Sequence, residues 1–487
     1  MLRSSLFICI ALLAFSSGLS ACSNTDRFVG QNVKVETADG PVEGRQVANG
    51  LYAFLGVPFA KPPTGELRWQ APLPRDPWTQ IRSATSFAPA CVQGGQTTEW
   101  YQGLIEDMGE SPDLAARPVR ESEDCLYLNV WTPSVAEGSD LPVMVWVHGG
   151  GYSGGWSYEP NYIGEDLARR DVVVVSIAYR LGPFGYIGPN DVNFGLKDQI
   201  KALEWVQENV QSFGGDPSNV TLFGESAGAS SIGTLLVTPS AKGLFQRVIH
   251  QSAGFEFIEK TTLEDARKTY SRLALAANEQ NVRDLSAEDL LILSRTDLPD
   301  QWFTPVSGDR ILPRAPHEYI ADDEVHAVDL IIGTNSDEWR MYIDEQSVDV
   351  QIEAWKQRFP GPLSLIENLI SDHGKVGALD RIETAHQMRC PGRRLAQSVT
   401  KNGGSVYVYR FSRVRPSLPA KQIGSYHGAE IPYVFDTHDE WLPTNDVDRK
   451  LTHSMMSAWV AFAQTGNPNP ALTWPEFGET NQLIEFG

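Results

Sequence analysis

Two glycine-bounded serines carry the first sign of chemistry. Gly224-Glu225-Ser226-Ala227-Gly228 fits G-x-S-x-G, the strained strand-to-helix turn that presents a serine hydroxyl as a nucleophile. Its surroundings supply what such a turn needs. Val220–Phe223 reads as the entering strand, and Ala227 to Val237 leaves as small and apolar residues. Gly151-Tyr152-Ser153-Gly154-Gly155 fits the same pattern but runs into Trp156-Ser157-Tyr158-Glu159-Pro160. No helix follows it, so Ser153 reads as a loop serine. His148-Gly149-Gly150-Gly151 comes after the apolar run Val143–Val147. Consecutive glycines let backbone N–H groups converge on the oxyanion that forms when a serine attacks a carbonyl. Alone, this run is also what a flexible turn looks like; beside the serine elbow it points to acyl transfer.

These residues need a frame that holds strand ends side by side. Short apolar runs with β-branched residues recur at Val143–Val147, Val172–Ile177, Val220–Phe223, Val328–Ile332 and Val406–Phe411. Continuous apolar strands suit a sheet covered on both faces. Leu196, Ile200, Leu203, Val206, Val210 and Phe213 recur at helical spacing, and Gly214-Gly215-Asp216-Pro217 stops the pattern. Strands alternating with helices predict an α/β fold, a doubly wound and mostly parallel sheet with helices on both faces. The 487 residues exceed the usual domain of about 100–200. Yet no repeat, low-complexity tract or linker divides residues 33–487, which read as one large domain with long excursions over the site. With 41% hydrophobic residues and a net charge of −21, the chain is globular in composition and lacks the basic footprint of a nucleic-acid binder.

Longer stretches resemble a known family. Phe213-Gly-Gly-Asp-Pro-Ser-Asn-Val-Thr-Leu-Phe-Gly-Glu-Ser-Ala-Gly228 is similar to the active-site signature of type-B carboxylesterases, the cholinesterase-like branch of the α/β-hydrolases. Glu123-Asp124-Cys125-Leu126-Tyr127-Leu128-Asn129-Val130 resembles the family's second signature. Phe54 to Pro63, Ala178 to Gly182, Cys390 to Ala396 and Gly466 to Pro470 extend the likeness, in order, over roughly residues 33–480. The triad order Ser, acid, His leaves seven histidines after His250 open. The resemblance selects His427, in Tyr426-His427-Gly428-Ala429-Glu430, and selects Glu338 over its rival Asp337 in Gly333-Thr-Asn-Ser-Asp-Glu338. It also implies that backbone N–H groups of Gly150, Gly151 and Ala227 hold the oxyanion. Trp339 stands where the family usually has Gly. Glu225 could tune the site's electrostatics or merely fill the motif, and Ser252 resembles a structural serine near the site.

The resemblance thus implies a serine carboxylesterase acting on a small-molecule ester, with no organic cofactor and no metal. The alternatives are a non-catalytic binding protein on the same fold, or amidase or lipase activity. In the cholinesterases a tryptophan after a Pro-Trp pair stacks on choline; here Pro77-Trp78-Thr79-Gln80-Ile81-Arg82 puts Arg82 at that place. A cation would repel choline, so short-chain or aromatic esters are expected, with Arg82 a possible aid to anionic ones.

Residues 1–21 read as a signal peptide: Arg3 precedes an apolar run from Leu6 to Phe15. Leu19-Ser20-Ala21-Cys22 resembles a lipobox, which makes Cys22 the acylated N-terminus of a bacterial cell-envelope lipoprotein. Ser23 in place of Asp resembles outer-membrane sorting; periplasmic or secreted forms are the alternatives. Residues 22–32 would be a short tether, and the lipid the sole membrane contact. Of the remaining cysteines, the resemblance pairs Cys91 with Cys125 in a disulfide and leaves Cys390 as a buried thiol. Nothing in the sequence sets the oligomeric state.

Overall fold

A computed structural model describes residues 28–487 except 116–118, 259–260, 278–280, 360, 362, 418–419, 470–472 and 479–481. The signal segment and Cys22 lie outside the described residues. One large sheet organises the chain. Its strands are β1 (Phe28–Thr37), β2 (Gly40–Val47), β3 (Tyr52–Pro58), β4 (Tyr127–Thr132), β5 (Leu141–Val147), β6 (Val173–Ile177), β7 (Gly215–Glu225), β8 (Arg247–Gln251), β9 (Asp329–Asn335), β10 (Val406–Phe411) and β11 (Ile484–Phe486). They lie in the order β1-β2-β3-β4-β6-β5-β7-β8-β9-β10-β11, with a short strand Arg82–Ser83 beside β2. β1 starts at Phe28, inside the stretch read as a tether.

From β1 to β6 the pairs are antiparallel. From β6 onward every neighbour is parallel. The reason is visible in the residues. Val173–Ile177 and Val143–Val147 are buried throughout, as strands covered on both faces must be. Leu196, Leu203, Val206, Val210 and Phe213 pack into a core on one face with Val145, Val175 and Leu222. They lie on α1 (Phe194–Asn209) and the turn Val210–Phe213 that extends it. The opposite face carries Trp146, Phe223, Tyr409, Trp459 and Trp474.

Register matters most for function. Gly224 stands opposite Val147, Glu225 opposite Gln251, and Gln251 opposite Gly333. The carboxyl ends of β5, β7, β8 and β9 therefore finish level, and the loops after them share one crevice, where open α/β sheets place their sites.

Two expectations fail. Cys390 is exposed, not buried: it opens α3 (Cys390–Lys401), whose packed face is Leu395, Ala396 and Val399. Arg82 belongs to the short strand paired with β2, is exposed, and lays its guanidinium 4.3 Å from the Trp78 ring centre. β3, β4, β6 and β5 separate β2 from the serine-bearing β7. At about 4.8 Å per strand, Arg82 is too far from Ser226 to select a substrate's charge, and the arguments from it on choline and anionic esters fall.

Candidate active site

Ser226 sits between β7 and α2 (Ala227–Leu235), with φ 56° and ψ −127°. A non-glycine residue there is strained, and the surroundings hold it. The Ser226 N–H donates to Gln251 O at 3.0 Å. Glycine at 224 and 228 is required by space: a Cβ on Gly224 would stand 2.6 Å from Val147 O, and one on Gly228 2.0 Å from it. The elbow thus packs directly on the end of β5, which brings the loop at His148–Gly151 beside the serine.

The hydroxyl lies in a chain of short contacts. Ser226 Oγ is 2.8 Å from His427 Nε2, and His427 Nδ1 is 2.7 Å from Glu338 Oε2. Glu338 is fully buried, and its Oε1 accepts the Asn335 N–H at 2.6 Å. The rival acid is turned elsewhere: Asp337 Oδ2 accepts the Ser425 N–H at 3.0 Å. It ties down the segment that carries His427, while Glu338 meets the imidazole. Trp339, despite its bulk, leaves Glu338 in place. Its N–H donates to Asp380 Oδ1 at 2.8 Å, and its ring packs edge-on against Tyr342.

The glycine loop is fixed from below and from the side. His148 stacks on Tyr179, whose hydroxyl donates to His148 O. Burial pulls the His148 imidazole down to about 4, so it stays neutral. Gly150 and Gly151 take φ of 101° and 58°, which glycine adopts without penalty. Gly155 N donates to Gln93 Oε1, and Gln93 Nε2 donates to Gly155 O. Gln93 follows Cys91, which forms a disulfide with Cys125; the bridge therefore steadies the loop. Among the described residues, the N–H groups of Gly150, Gly151 and Ala227 meet no acceptor. Ser153 lies in the tight turn there, its N–H donating to Gly150 O.

Three acids that sequence reasoning passed over or left aside complete the site. Glu225 Oε1 is 3.3 Å from His427 Nε2 and otherwise lacks a hydrogen-bond partner. Glu430 is buried, accepting from Gln251 Nε2 at 3.0 Å and from Asn335 Nδ2 at 2.7 Å. Glu159 accepts from Tyr101 and from Trp156 N, and burial pushes its carboxyl up to about 7. Burial pulls the His427 imidazole down, but the charge of Glu225, and then the hydrogen bond and charge of Glu338, outweigh it and raise it to about 9. Burial raises Glu225 well above the ordinary carboxyl range; His427 pulls it back, and Glu430 and Glu338 raise it further. Asn335 and Glu430 carried no local sequence signal; Glu225 was visible in the motif. Ser252 is fully buried behind the site, its N–H donating to Gly333 O. None of the other six late histidines touches Ser226: His438, for one, is buried against Thr452.

The chain is similar to known proteins along most of its length. The chain matches the model of the carboxylesterase family over residues 31–360 and 371–486. It is 34% identical to a para-nitrobenzyl esterase of Bacillus subtilis over 91% of this chain and 92% of that protein. It is 33% identical to a fumonisin B1 esterase of Sphingopyxis macrogoltabida, over 93% and 86%. A solved PNB esterase structure superposes with a TM-score of 0.79 at 31% identity, covering 94% of this chain and 96% of that one. The fold is that of the α/β-hydrolases.

Proposed function

The chain belongs to the carboxylesterase family and is a carboxylic ester hydrolase, and from that premise we propose that it works through Ser226, His427 and Glu338. His427 Nε2 takes the Ser226 proton as Oγ attacks the ester carbonyl. Glu338 orients the imidazole and stabilises its charged form. The N–H groups of Gly150, Gly151 and Ala227 receive the oxyanion. His427 then gives the proton to the departing alcohol, and a water it activates releases the acid from the acyl-enzyme. The observation that carries this reading is the continuous Ser226–His427–Glu338 hydrogen-bond chain, at 2.8 and 2.7 Å.

Short-chain or aromatic esters fit the site best. The Tyr342 ring lies 6.2 Å from the His427 ring, and Trp302 projects beside Gly151, so flat apolar groups meet aromatic faces. The relative described as a para-nitrobenzyl esterase supports the same substrate class. The test is covalent trapping. A fluorophosphonate ester should label one residue, Ser226, found by peptide mass spectrometry, and Ser226→Ala should abolish labelling. Labelling at another serine, or none, contradicts the assignment.

The same reading extends to the N-terminus: Leu19-Ser20-Ala21-Cys22 supports a cell-envelope lipoprotein anchored through Cys22. Radiolabelled palmitate should enter the wild type and not Cys22→Ala; equal labelling of both rules the anchor out.

A further inference from the structure

Beyond the triad's acid, between β9, β10 and the first turns of α3, the structure holds a cavity of about 170 Å³. Much of its lining is apolar and buried: Ala253, Ile332, Met388, Ala396 and Phe477. Three arginines also line it, Arg389, Arg393 and Arg410. Arg410 pairs with Glu485 at 2.5 Å, yet its Nε stays buried without a partner. The side chains of Arg389 and Arg393 have no ion pair or hydrogen bond among the described residues. Partial burial, then the like charge of Arg410, lowers the Arg389 guanidinium from its usual value, against the charge of Glu338, which raises it. In a chain with 61 acidic and 40 basic residues, three arginines meet here, answered by the Glu485 ion pair on Arg410 and by the charge of Glu338 on Arg389.

Size and charge together define what fits. A cavity of roughly 150 Å³ lined by apolar side chains holds a benzene ring. Guanidinium forks match carboxylate oxygens two at a time. We propose that this cavity is a second binding site, for a monocarboxylate with a ring or a short alkyl chain, its head on Arg389 and Arg393 and its body on the apolar wall. Two sources share that chemistry: the acid released by ester hydrolysis, and an acid taken up from solution. Binding itself does not depend on the catalytic reading, because no triad residue lines the cavity.

Calorimetric titration of the full chain with benzoate, and with the neutral isostere benzamide, tests the site. Benzoate should bind at one equivalent, equally after Ser226 has been blocked by a fluorophosphonate. Benzamide should bind at least about tenfold more weakly, and Arg389→Gln/Arg393→Gln should weaken benzoate by a similar factor. Both arginines reach the surface, so the variant should keep its thermal midpoint, and Arg389→Lys/Arg393→Lys should restore part of the binding. Progress curves on p-nitrophenyl hexanoate separate the sources. Product inhibition lost in the double Gln variant marks the enzyme's own acid as occupant; inhibition that persists unchanged marks an acid from solution. The proposal is overturned by equal affinity for benzoate and benzamide, by unchanged binding in the double Gln variant, by loss of binding on blocking Ser226, or by no binding at all. If the fluorophosphonate fails to react, the catalytic reading falls while the titration still reads the cavity.

Discussion

Glu225 and Glu338 approach one imidazole from two sides, and their tasks differ. Glu338 meets Nδ1 at 2.7 Å and is held by Asn335 N–H; Glu225 lies 3.3 Å from Nε2 with no other partner for that oxygen. A histidine can act as base only when deprotonated, so the rate should rise with pH through its titration. Glu225 is the strongest influence raising His427 from 6.5 toward about 9. Glu225→Gln should therefore move the acid limb of the kcat/KM profile to lower pH, while the serine remains reactive. A limb that stays in place would show that Glu225 carries no charge when the substrate arrives. At this scale much was legible: Ser226 follows from its turn, and the glycine loop from its run. His427 was not derivable from order alone, since its partners come from β9 and β7, distant in the chain. Asn335 and Glu430 were invisible because a buried polar residue leaves no periodic trace. Arg82 was misread because proximity to a Pro-Trp pair in sequence says nothing about which sheet edge it occupies.

The element that decides reactivity is the strand-turn-helix from β7 into α2. Gly228 touches the carbonyl of Val147 so closely that a methyl group would overlap it at 2.0 Å. Overpacking of this kind usually costs about 1–3 kcal/mol, and here the strain falls on the nucleophile. Gly228→Ala should cut kcat far more than it lowers the thermal midpoint. Gly103→Ala is the control: it lies within the helix Gln96–Asp107, meets nothing within 4 Å, and should leave activity intact. Unchanged kcat in Gly228→Ala would mean that the elbow has room the structure does not show. The parallel strands and α1 were readable, because Val143–Val147 and Val173–Ile177 are apolar without a break. The antiparallel strands β1 to β3 were not anticipated, and neither was α4 (Asp446–Thr465). Its start is set by an Asn445/Asp448 capping box, a signal present in the chain but not one that marks function. Cys390 was misjudged for a related reason: thiols are usually buried, but this one occupies the outward side of a helix start.

Across the whole molecule, several carboxyl groups are buried where burial outweighs any charge that would hold them ionised, Asp380 even with Arg381 at 3.9 Å. Burial raises Asp380 from 3.8 to about 7, against the Trp339 N–H bond that lowers it; Glu159 is likewise raised to about 7. A raised carboxyl binds its proton more tightly in the folded chain than in the unfolded one. Its contribution to stability is complete below pH 3.8 and is lost as pH climbs through about 7. Folded protein should thus lose stability between mildly acidic and neutral pH, before net charge is considered. Asp380→Asn keeps the oxygen that accepts from Trp339 and removes the titration. It should flatten the fall in thermal midpoint from pH 5 to pH 8, worth up to a few kcal/mol. An identical slope in wild type and variant would place the burden on other groups.

The central claim, ester hydrolysis by Ser226, is tested most directly by turnover of p-nitrophenyl acetate, butyrate and palmitate, beside Ser226→Ala. Fast release from the two short esters, slow release from palmitate, and loss of turnover by a factor of about 10³ or more in the variant are the expected results. Equal turnover by Ser226→Ala would contradict the assignment of the nucleophile, and with it the mechanism built on that residue.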